Sequence, residues 1–367
     1  MKRLLAVVLF IAACGGTTTP PVSTTPSATP TASAPAAEPS PSASEAATPE
    51  PPRDLPTAWS LLTPTGDLPA AREDHTWTVD PATGTAYLFG GRDGSTVFGD
   101  LFAFDLATHA WRRLDPAGTT PHARFGHEAN WVPGVGLVIF AGQASSTEFF
   151  GDLWVFDPAQ TAWTQLPNTG DAPVPRYGSC SGLAPDGRLW ISHGFTKDGN
   201  RFFDTKAYDF ALQAWIDLTP DGRVPVERCL HACWWTANRT FTLYGGQTTT
   251  VAALGDAWSL APGGADTPGT WTPVEGTLPV ERALTAFATY GAVELLFGGR
   301  AIDRAYLADA YVVDSSGAFV PLATTGTGPA ARASATLISD FARARAILLG
   351  GIGSDGAFAD IWQLGAP

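Results

Sequence analysis

The chain has 367 residues, 44% of them hydrophobic and 11% aromatic, enough to fill the core of one large all-β domain or of two smaller ones. Its formal net charge is −13, and only three of its 22 basic residues are lysines. Such a surface repels phosphate backbones, so nucleic acid is not expected as a partner. Thirty-nine glycines and 31 prolines indicate a chain with many turns.

Residues 1–13 have the organisation of an export signal. Lys2 and Arg3 precede an apolar stretch, residues 4–12, that is too short to span a bilayer as a helix. The stretch ends in Ile11-Ala12-Ala13-Cys14, which resembles the lipobox of bacterial lipoproteins. The resemblance implies acylation of Cys14 and lipid anchoring to the cell envelope, at the outer membrane in a diderm. The alternative is an ordinary secretory signal that contains a cysteine by chance.

Residues 14–56 comprise that cysteine and a segment made almost entirely of Thr, Pro, Ser, Ala, Gly and Glu. The segment has no hydrophobic period and cannot form a core, which predicts a disordered tether. As a coil it spans roughly 35–40 Å, and about 130 Å when fully extended. It is expected to hold the folded part away from the membrane, which favours a function that is not directed at lipid.

Four markers recur in a fixed order through residues 57–367. An arginine comes first, and successive arginines are 50 to 54 residues apart: Arg72, Arg124, Arg176, Arg228, Arg282 and Arg332. A small pair ending in glycine follows: Gly90-Gly91, Ala141-Gly142, His193-Gly194, Gly245-Gly246, Gly298-Gly299 and Gly350-Gly351. An aspartate then leads an apolar run: Asp100, Asp152, Asp204, Asp256, Asp309 and Asp360. An aromatic residue comes last: Trp111, Trp163, Trp215, Trp271 and Phe319.

Short alternating apolar runs separate these markers, so each repeat reads as four antiparallel strands, a to d. Four-stranded sheets repeated around an axis predict an all-β fold, a six-bladed β-propeller. The glycine pair ends strand b, where the chain turns without a Cβ. The strand-d tryptophan is expected to pack against the next blade, because an isolated sheet cannot bury both faces.

The repeat resembles that of Kelch proteins. The matching pieces of the first repeat are Arg72-x-x-His75, Gly90-Gly91, Asp100-Leu101-Phe102 and Trp111-x-x-Leu114, and their counterparts extend the resemblance over residues 57–367. Blade three departs from the pattern at His193-Gly194, and blade five at Phe319. These two blades are therefore expected to be less regular.

The two ends of the repeat region predict how the ring closes. The last repeat stops at Trp362-Gln363-Leu364, which reads as strand c, and has no strand d. Residues 58–62 precede the first repeat and carry an unassigned strand-d residue, Trp59. We expect this N-terminal strand to complete blade six, which also removes an exposed sheet edge.

Strand order places the d–a and b–c loops on one face, with the six repeat arginines near it. Three of the arginines are followed, three residues later, by a histidine: His75, His127 and His231. These residues are either scaffold, bonded to carbonyls or to the strand-c aspartate, or part of a ligand pocket. The Kelch resemblance implies that this face can hold a partner peptide with arginines taking part. Loop residues outside the repeat pattern are the sharper ligand-binding candidates: Arg92, Asp93, Phe149, Lys197, Arg201, Arg300 and Arg304.

Signals for catalysis are weak. No phosphate-binding loop and no zinc-ligand spacing is found, so no cofactor and no metal are expected. Four glutamates near the repeat arginines have the chemistry of an acid or base: Glu73, Glu128, Glu227 and Glu281.

The sequence favours a membrane-tethered binding module for a protein or a glycan. The alternative is a carbohydrate-active enzyme that resembles the six-bladed Kelch sialic acid mutarotases. A glutamate with a raised pKa in a closed pocket would favour the enzyme, and a wide open face would favour the binder.

Three cysteines follow Cys14: Cys180, Cys229 and Cys233. Because Cys229 and Cys233 are roughly 13 Å apart along one strand, they are too distant to pair with each other. Cys180 and Cys233 fall at similar depth on the innermost strands of adjacent blades, so we expect them to form a disulfide. A Cys180–Cys229 bridge is the weaker option, and three reduced, buried cysteines are the alternative to both.

Overall fold

The computed structural model describes residues 55, 57–264 and 266–365. They form six antiparallel sheets around an axis, the six-bladed all-β propeller that the repeat predicts. Strand a of each blade contacts strand a of both neighbours and is therefore innermost. The signal peptide and tether expected within residues 1–56 lie, apart from Leu55, outside the described residues. The described part contains no helix with the length and hydrophobicity that a membrane crossing requires.

Strand bounds are given for each blade in the order a, b, c, d. Blade 1 contains Thr76–Asp80, Thr85–Phe89, Leu101–Asp105 and Ala110–Leu114. Blade 2 contains Glu128–Val132, Gly136–Phe140, Leu153–Asp157 and Ala162–Leu166. Blade 3 contains Cys180–Leu183, Leu189–Ser192, Thr205–Asp209 and Ala214–Asp217. Blade 4 contains Ala232–Trp235, Phe241–Tyr244, Ala257–Ala261 and Thr270–Pro273. Blade 5 contains Ala286–Tyr290, Val293–Ala301, Tyr306–Val313 and Phe319–Pro321. Blade 6 contains Thr336–Asp340, Arg345–Leu349, Ile361–Leu364 and Trp59–Leu61.

Several short elements lie outside the four strands of each blade. Two outer strands, Thr65–Gly66 and Thr169–Gly170, run parallel to strand d of blades 1 and 3. Two small hairpins lie in the b–c loops of blades 1 and 6: Arg92–Asp93 with Thr96–Val97, and Ile352–Gly353 with Gly356–Ala357. A two-residue strand, Arg282–Ala283, precedes blade 5, and a 3-10 turn, Phe341–Arg343, joins strands a and b of blade 6.

The ring closes as predicted. Trp59–Leu61 pairs antiparallel with Ile361–Leu364, with Trp59 opposite Leu364. Trp59 is buried and meets Phe297 of blade 5 edge-on, with ring centroids 5.3 Å apart. The N-terminal strand is therefore both the outer strand of blade 6 and part of its contact with blade 5.

The strand-d aromatics pack against the preceding blade, so the expectation that they contact the next blade is wrong. Trp163 of blade 2 lies 5.2 Å from Phe89 of blade 1, and Trp215 of blade 3 lies 4.9 Å from Phe140 of blade 2, between ring centroids. Alternation along a strand tells which residues share a face of a sheet, but it does not tell which neighbour that face meets.

Blade 5 carries the irregularity expected of it, a shift in register between Phe297 and Gly299. Blade 3 instead keeps four regular strands. Ser192 stands where blade 1 has Phe89, and the ring of His193 lies 6.3 Å from Trp271 of blade 4, where the smaller serine leaves space. The Nδ1 atom of His193 is 2.6 Å from the hydroxyl of Ser192. His193 thus takes the packing role that Phe89 has in blade 1, although it comes one residue later in its repeat.

A closed ring of backbone hydrogen bonds surrounds the axis. It is made by the residues two places after each repeat arginine: Asp74, Gly126, Gly178, Leu230, Leu284 and Ser334. All six have positive φ values, between 54° and 61°. Each N–H donates to the carbonyl of its counterpart in the preceding blade, at 2.7–3.2 Å, and Asp74 completes the circle by donating to Ser334. The ring ties all six blades together where the strands a begin.

The structure confirms the Cys180–Cys233 bridge. The two Cα atoms are 6.0 Å apart, on the innermost strands of blades 3 and 4, within the range for a disulfide. Cys229 is buried and free.

We expect one reactive thiol in denatured protein that begins at residue 15, because Cys229 alone is unpaired. Thiol titration under oxidising conditions measures this number, which should rise to three after reduction. The Cys229→Ser variant should give none before reduction. Three thiols in the unreduced parent would contradict the bridge.

Candidate functional site

The contacts of the six repeat arginines show that these residues stabilise the fold. Arg124 is fully buried, and its guanidinium donates to both carboxylate oxygens of Asp152 at 2.6 and 3.0 Å. It also donates to the carbonyl oxygens of Ala141 and His122, and it lies 4.2 Å from the ring centroid of Phe150. The other five pair in the same way with the aspartate of their own blade. Their guanidinium groups therefore have no exposed surface to offer a ligand.

The three repeat histidines are buried between blades. Burial, followed by the charge of the adjacent repeat arginine, lowers the pKa of His75 and of His231 to about 3. The same causes hold the pKa of His127 well below its usual value. His127 packs edge-on against Phe89, and its Nε2 lies 2.8 Å from the Thr76 hydroxyl. These imidazoles are neutral packing groups, and no cluster of three His, Cys, Asp or Glu among the described residues could hold a metal ion.

Three of the loop candidates meet in one groove on the face of the d–a and b–c loops. This loop groove, of about 460 Å³, crosses blades 1 to 3 and is lined by Arg92, Phe125, Gln143, Phe149, Phe195 and Lys197. Its aromatic rings form a chain, with Phe149 and Phe195 5.7 Å apart and Phe195 and Tyr177 5.1 Å apart. The groove thus offers aromatic surface with polar groups at its edge.

Arg92 is held in place at one end of the loop groove. Its guanidinium pairs with Glu73 at 3.2 Å and Asp74 at 3.1 Å, and it lies 4.4 Å from the ring centroid of Phe125. Tyr177 donates its hydroxyl to Asp74 at 2.9 Å. Burial and the charge of Asp74 raise the pKa of Glu73 to about 7, although Arg92 opposes them. Several contacts therefore fix the position of Arg92, and the carboxylates around it balance its positive charge.

Lys197 of the groove lining is exposed, and among the described residues it has no ion pair. The remaining loop candidates lie outside that lining, and Asp93 is exposed. Arg201 lies 5.5 Å from the Phe195 ring centroid and donates to the Thr249 hydroxyl at 3.0 Å, beside the groove. Arg300 lies at the end of strand b of blade 5 and Arg304 in the b–c loop that follows, and Arg300 donates to the Arg304 carbonyl oxygen at 3.3 Å. These two arginines do not line the loop groove.

The four glutamates with acid–base chemistry lie in three different places. Glu227 and Glu281 are exposed. Glu73 is paired with Arg92, as described above. Glu128 lines a cavity on the propeller axis, and burial raises its pKa to about 8. The protein therefore has an open loop face and a glutamate with a raised pKa, but this glutamate lies in a cavity that is open at one end and not in a closed pocket.

The loop face also carries exposed apolar side chains that were not among the candidates predicted from the sequence. Six residues in the d–a and b–c loops of blades 3 to 5 are 36–53% exposed: Val174, Phe203, Val226, Val251, Val280 and Ile302. We call this set the apolar crescent. Three members follow a proline and come two residues before a repeat arginine, a recurrence that was visible in the sequence. The loops of successive blades lie side by side, because isolated β-bridges pair Phe202 with Arg228 and Leu254 with Arg282.

Comparison with known families agrees with this geometry. The model of the KLHDC2/KLHL20/DRC7 Kelch-repeats domain matches residues 56–246, which span the closing strand, blades 1 to 3 and the first half of blade 4. The chain belongs to this Kelch-repeat family. The resemblance drawn from the first repeat is thereby confirmed.

Three curated relatives show how varied Kelch proteins are. The chain is 30% identical over 207 residues to a Rab9 effector protein with kelch motifs from Xenopus laevis, covering 53% of this chain and 55% of the relative. It is 29% identical over 184 residues to an N-(sulfonatooxy)prop-2-enimidothioate sulfolyase from Thlaspi arvense, covering 45% and 52%. It is 27% identical over 213 residues to Kelch domain-containing protein 3 from Bos taurus, covering 55% of each. The chain spans about half the length of these relatives.

Proposed function

We propose that this chain is an exported, membrane-tethered Kelch propeller that binds a protein partner through its loop face. The observation that carries the proposal is the apolar crescent beside the loop groove. Isolated exposed apolar residues are ordinary, but a set gathered on adjoining loops of one face is typical of a protein–protein interface. The aromatic rings of the loop groove extend the same face, and aromatic residues are enriched at the centres of such interfaces.

The opposite face supplies a useful contrast. Among the residues that the structure describes, ten large hydrophobic side chains are at least 36% exposed. The six of the apolar crescent and Leu68 lie in d–a and b–c loops, Leu212 and Phe341 lie in turns of the other face, and Leu61 lies in a strand. One relative is, by its name, an effector of Rab9. The distribution of exposed apolar residues favours the loop face as the binding surface, and this name favours a protein ligand.

Two features support export. Residues 1–13 read as a signal peptide that ends in a lipobox-like sequence at Cys14. The Cys180–Cys233 disulfide fits an oxidising compartment, because such bonds are rare in the reducing cytosol. A tether of residues 14–56 would then present the propeller to partners beyond the lipid surface.

The binding proposal is tested with a peptide-display library selected against protein that begins at residue 15. The dissociation constant of a selected peptide is then measured for Val226→Asp and Phe203→Ala. We expect each variant to weaken binding at least tenfold, because each removes an exposed apolar contact of the crescent while leaving the core unchanged.

The matched control is Leu212→Asp, which introduces the same charge at a residue that is 67% exposed in the c–d turn of blade 3. This variant should bind like the parent. The proposal fails if no peptide is enriched, or if Leu212→Asp weakens binding as much as Val226→Asp does.

A further inference from the structure

A second cavity lies on the propeller axis. It has a volume of about 630 Å³ and is bordered by strands a of blades 1, 2, 3, 5 and 6. It extends from His75, beside the ring of backbone hydrogen bonds, to Pro81 and Phe341 in the a–b turns. A smaller cavity of about 160 Å³ continues it inside the ring itself. This axial channel therefore opens on the face opposite the apolar crescent, and its size is typical of a small-molecule pocket.

The wall of the channel combines apolar with polar side chains and is almost uncharged. Hydroxyl and amide side chains reach it from five blades: Thr76, Thr78, Asn130, Ser181, Thr289 and Ser339. The described lining includes Glu128 as its one carboxyl group, and it includes no lysine and no arginine. The two lining histidines, His75 and His127, are neutral because burial lowers the pKa of each. Such a wall can donate to and accept from hydroxyl groups, but it offers no cation to an anionic ligand.

Three of these side chains form an ordered relay between blades 2 and 3. The amide of Asn130 donates to the Ser181 hydroxyl oxygen at 2.6 Å, and Ser181 donates in turn to a carboxylate oxygen of Glu128 at 3.0 Å. Glu128 is partly exposed to the channel. Because burial raises its pKa to about 8, although the hydrogen bonds from Ser181 oppose the shift, this carboxyl group is protonated at neutral pH. It is then a hydrogen-bond donor on the channel wall.

An aromatic ring also lines the channel. Trp131, the residue after Asn130, points to the other face of the blade-2 sheet, toward blade 1. Tyr87 of blade 1 stacks on it, with the two rings nearly parallel and their centroids 5.8 Å apart. Phe341 stands at the open end and is 62% exposed. One cavity therefore carries flat apolar surface and, elsewhere on its wall, fixed hydroxyl, amide and carboxyl groups, which matches a ligand with an apolar ring face and several hydroxyl groups.

We propose that the axial channel binds a small neutral sugar, a mono- or disaccharide, through Glu128, Asn130 and Ser181. In this proposal the axial channel binds a glycan, and the loop face binds the protein partner. An acidic sugar such as N-acetylneuraminate fits poorly, because the described lining offers no cation to compensate its carboxylate for the loss of hydration. This argues against the mutarotase alternative at this site.

The test uses glucose, galactose, N-acetylglucosamine, maltose and N-acetylneuraminate, titrated separately while tryptophan fluorescence of the protein is followed. We expect saturable binding of at least one neutral sugar and none of N-acetylneuraminate. Asn130→Ala and Ser181→Ala should each weaken the bound sugar at least tenfold, because each breaks the relay. Their melting temperatures, measured alongside, show whether each variant is folded.

The pH profile tests the role of Glu128 as a donor. Below pH 8 the group is neutral and donates, and above pH 8 it is charged and loses that proton, so binding to the parent should weaken as the pH rises. Glu128→Gln keeps a donor at all pH values and should bind with a flat profile. His75 and His127 stay neutral in this range and Cys180 is in a disulfide. Burial also raises the pKa values of Glu73 and of Glu294, which accepts a hydrogen bond from Thr289 of the channel wall, to about 7, so the flat profile of Glu128→Gln is the result that assigns the pH dependence to Glu128.

The outcomes separate this proposal from the one for the loop face. Val226→Asp should leave sugar binding unchanged, and Ser181→Ala should leave peptide binding unchanged. The channel proposal is overturned if none of the four neutral sugars binds, if N-acetylneuraminate binds best, or if folded Asn130→Ala and Ser181→Ala variants bind like the parent. Loss of the peptide interaction alone would not affect it.

Discussion

Replacing Trp59 by alanine should lower the free energy of unfolding by about 3–5 kcal/mol, the usual cost of truncating a buried tryptophan. The indole is 5% exposed, and it packs against Phe297 of blade 5 from a strand that is joined to blade 6 by hydrogen bonds. The substitution therefore weakens the contact between two blades and the closing strand at the same time. Urea unfolding followed by tryptophan fluorescence measures the change.

The matched control lies two residues away on the same strand. Leu61 is 57% exposed, so Leu61→Ala should change the free energy of unfolding by less than about 0.5 kcal/mol. Deleting residues 17–50 should also leave the unfolding midpoint unchanged, because the propeller begins after them. Equal midpoints for Trp59→Ala and the parent would show that this strand does not close the ring.

Replacing Arg124 by alanine should cost about 3–5 kcal/mol of stability, because it breaks a buried ion pair by removing one partner. The guanidinium is fully buried and donates to Asp152 and to two carbonyl oxygens. All three would lose this donor, and the Asp152 carboxylate would keep the hydrogen bond from the Trp154 indole. Thermal unfolding measures the loss. Peptide and sugar binding by the fraction that remains folded should be unchanged, as expected of a scaffold residue.

Arg113→Ala is the control for this prediction. Arg113 is 60% exposed and reaches Asp115 only at 3.6 Å, so its removal should cost less than about 1 kcal/mol. A small effect for Arg124→Ala, combined with loss of ligand binding, would mean that the repeat arginines act on the ligand and not on the fold.

The fold was predictable because the same steric requirements recur in each repeat. Gly90 shows why: its φ is +66°, and a Cβ at this position would lie 2.5 Å from the carbonyl oxygen of Arg124. A position with so little space favours small residues, and five of the six blades have Gly or Ala there, with His193 of blade 3 as the exception. This recurrence reveals the architecture. The direction in which Trp163 packs was not predictable, because it depends on how neighbouring sheets face each other.

The two candidate sites were harder to predict because they depend on departures from the repeat. Glu128, Asn130 and Ser181 meet across two blades although Ser181 is 53 and 51 residues away from the other two. Nothing in their local sequence indicates the relay. Arg92, Phe149 and Lys197 were recognisable as irregular loop residues, but only the structure shows that they share one groove while Arg300 and Arg304 do not line it.

The pairing of Trp59 with Leu364 also sets an order of events during synthesis. These partners are 305 residues apart, so the outer strand of blade 6 is made first and waits until the rest of the propeller has been translated. Until then strand c of blade 6 does not exist, and the apolar face of Trp59 has no complete site to occupy. Contacts this distant form late and slowly, and an unpaired strand is prone to aggregation. The nascent chain is therefore most vulnerable at its N-terminal strand.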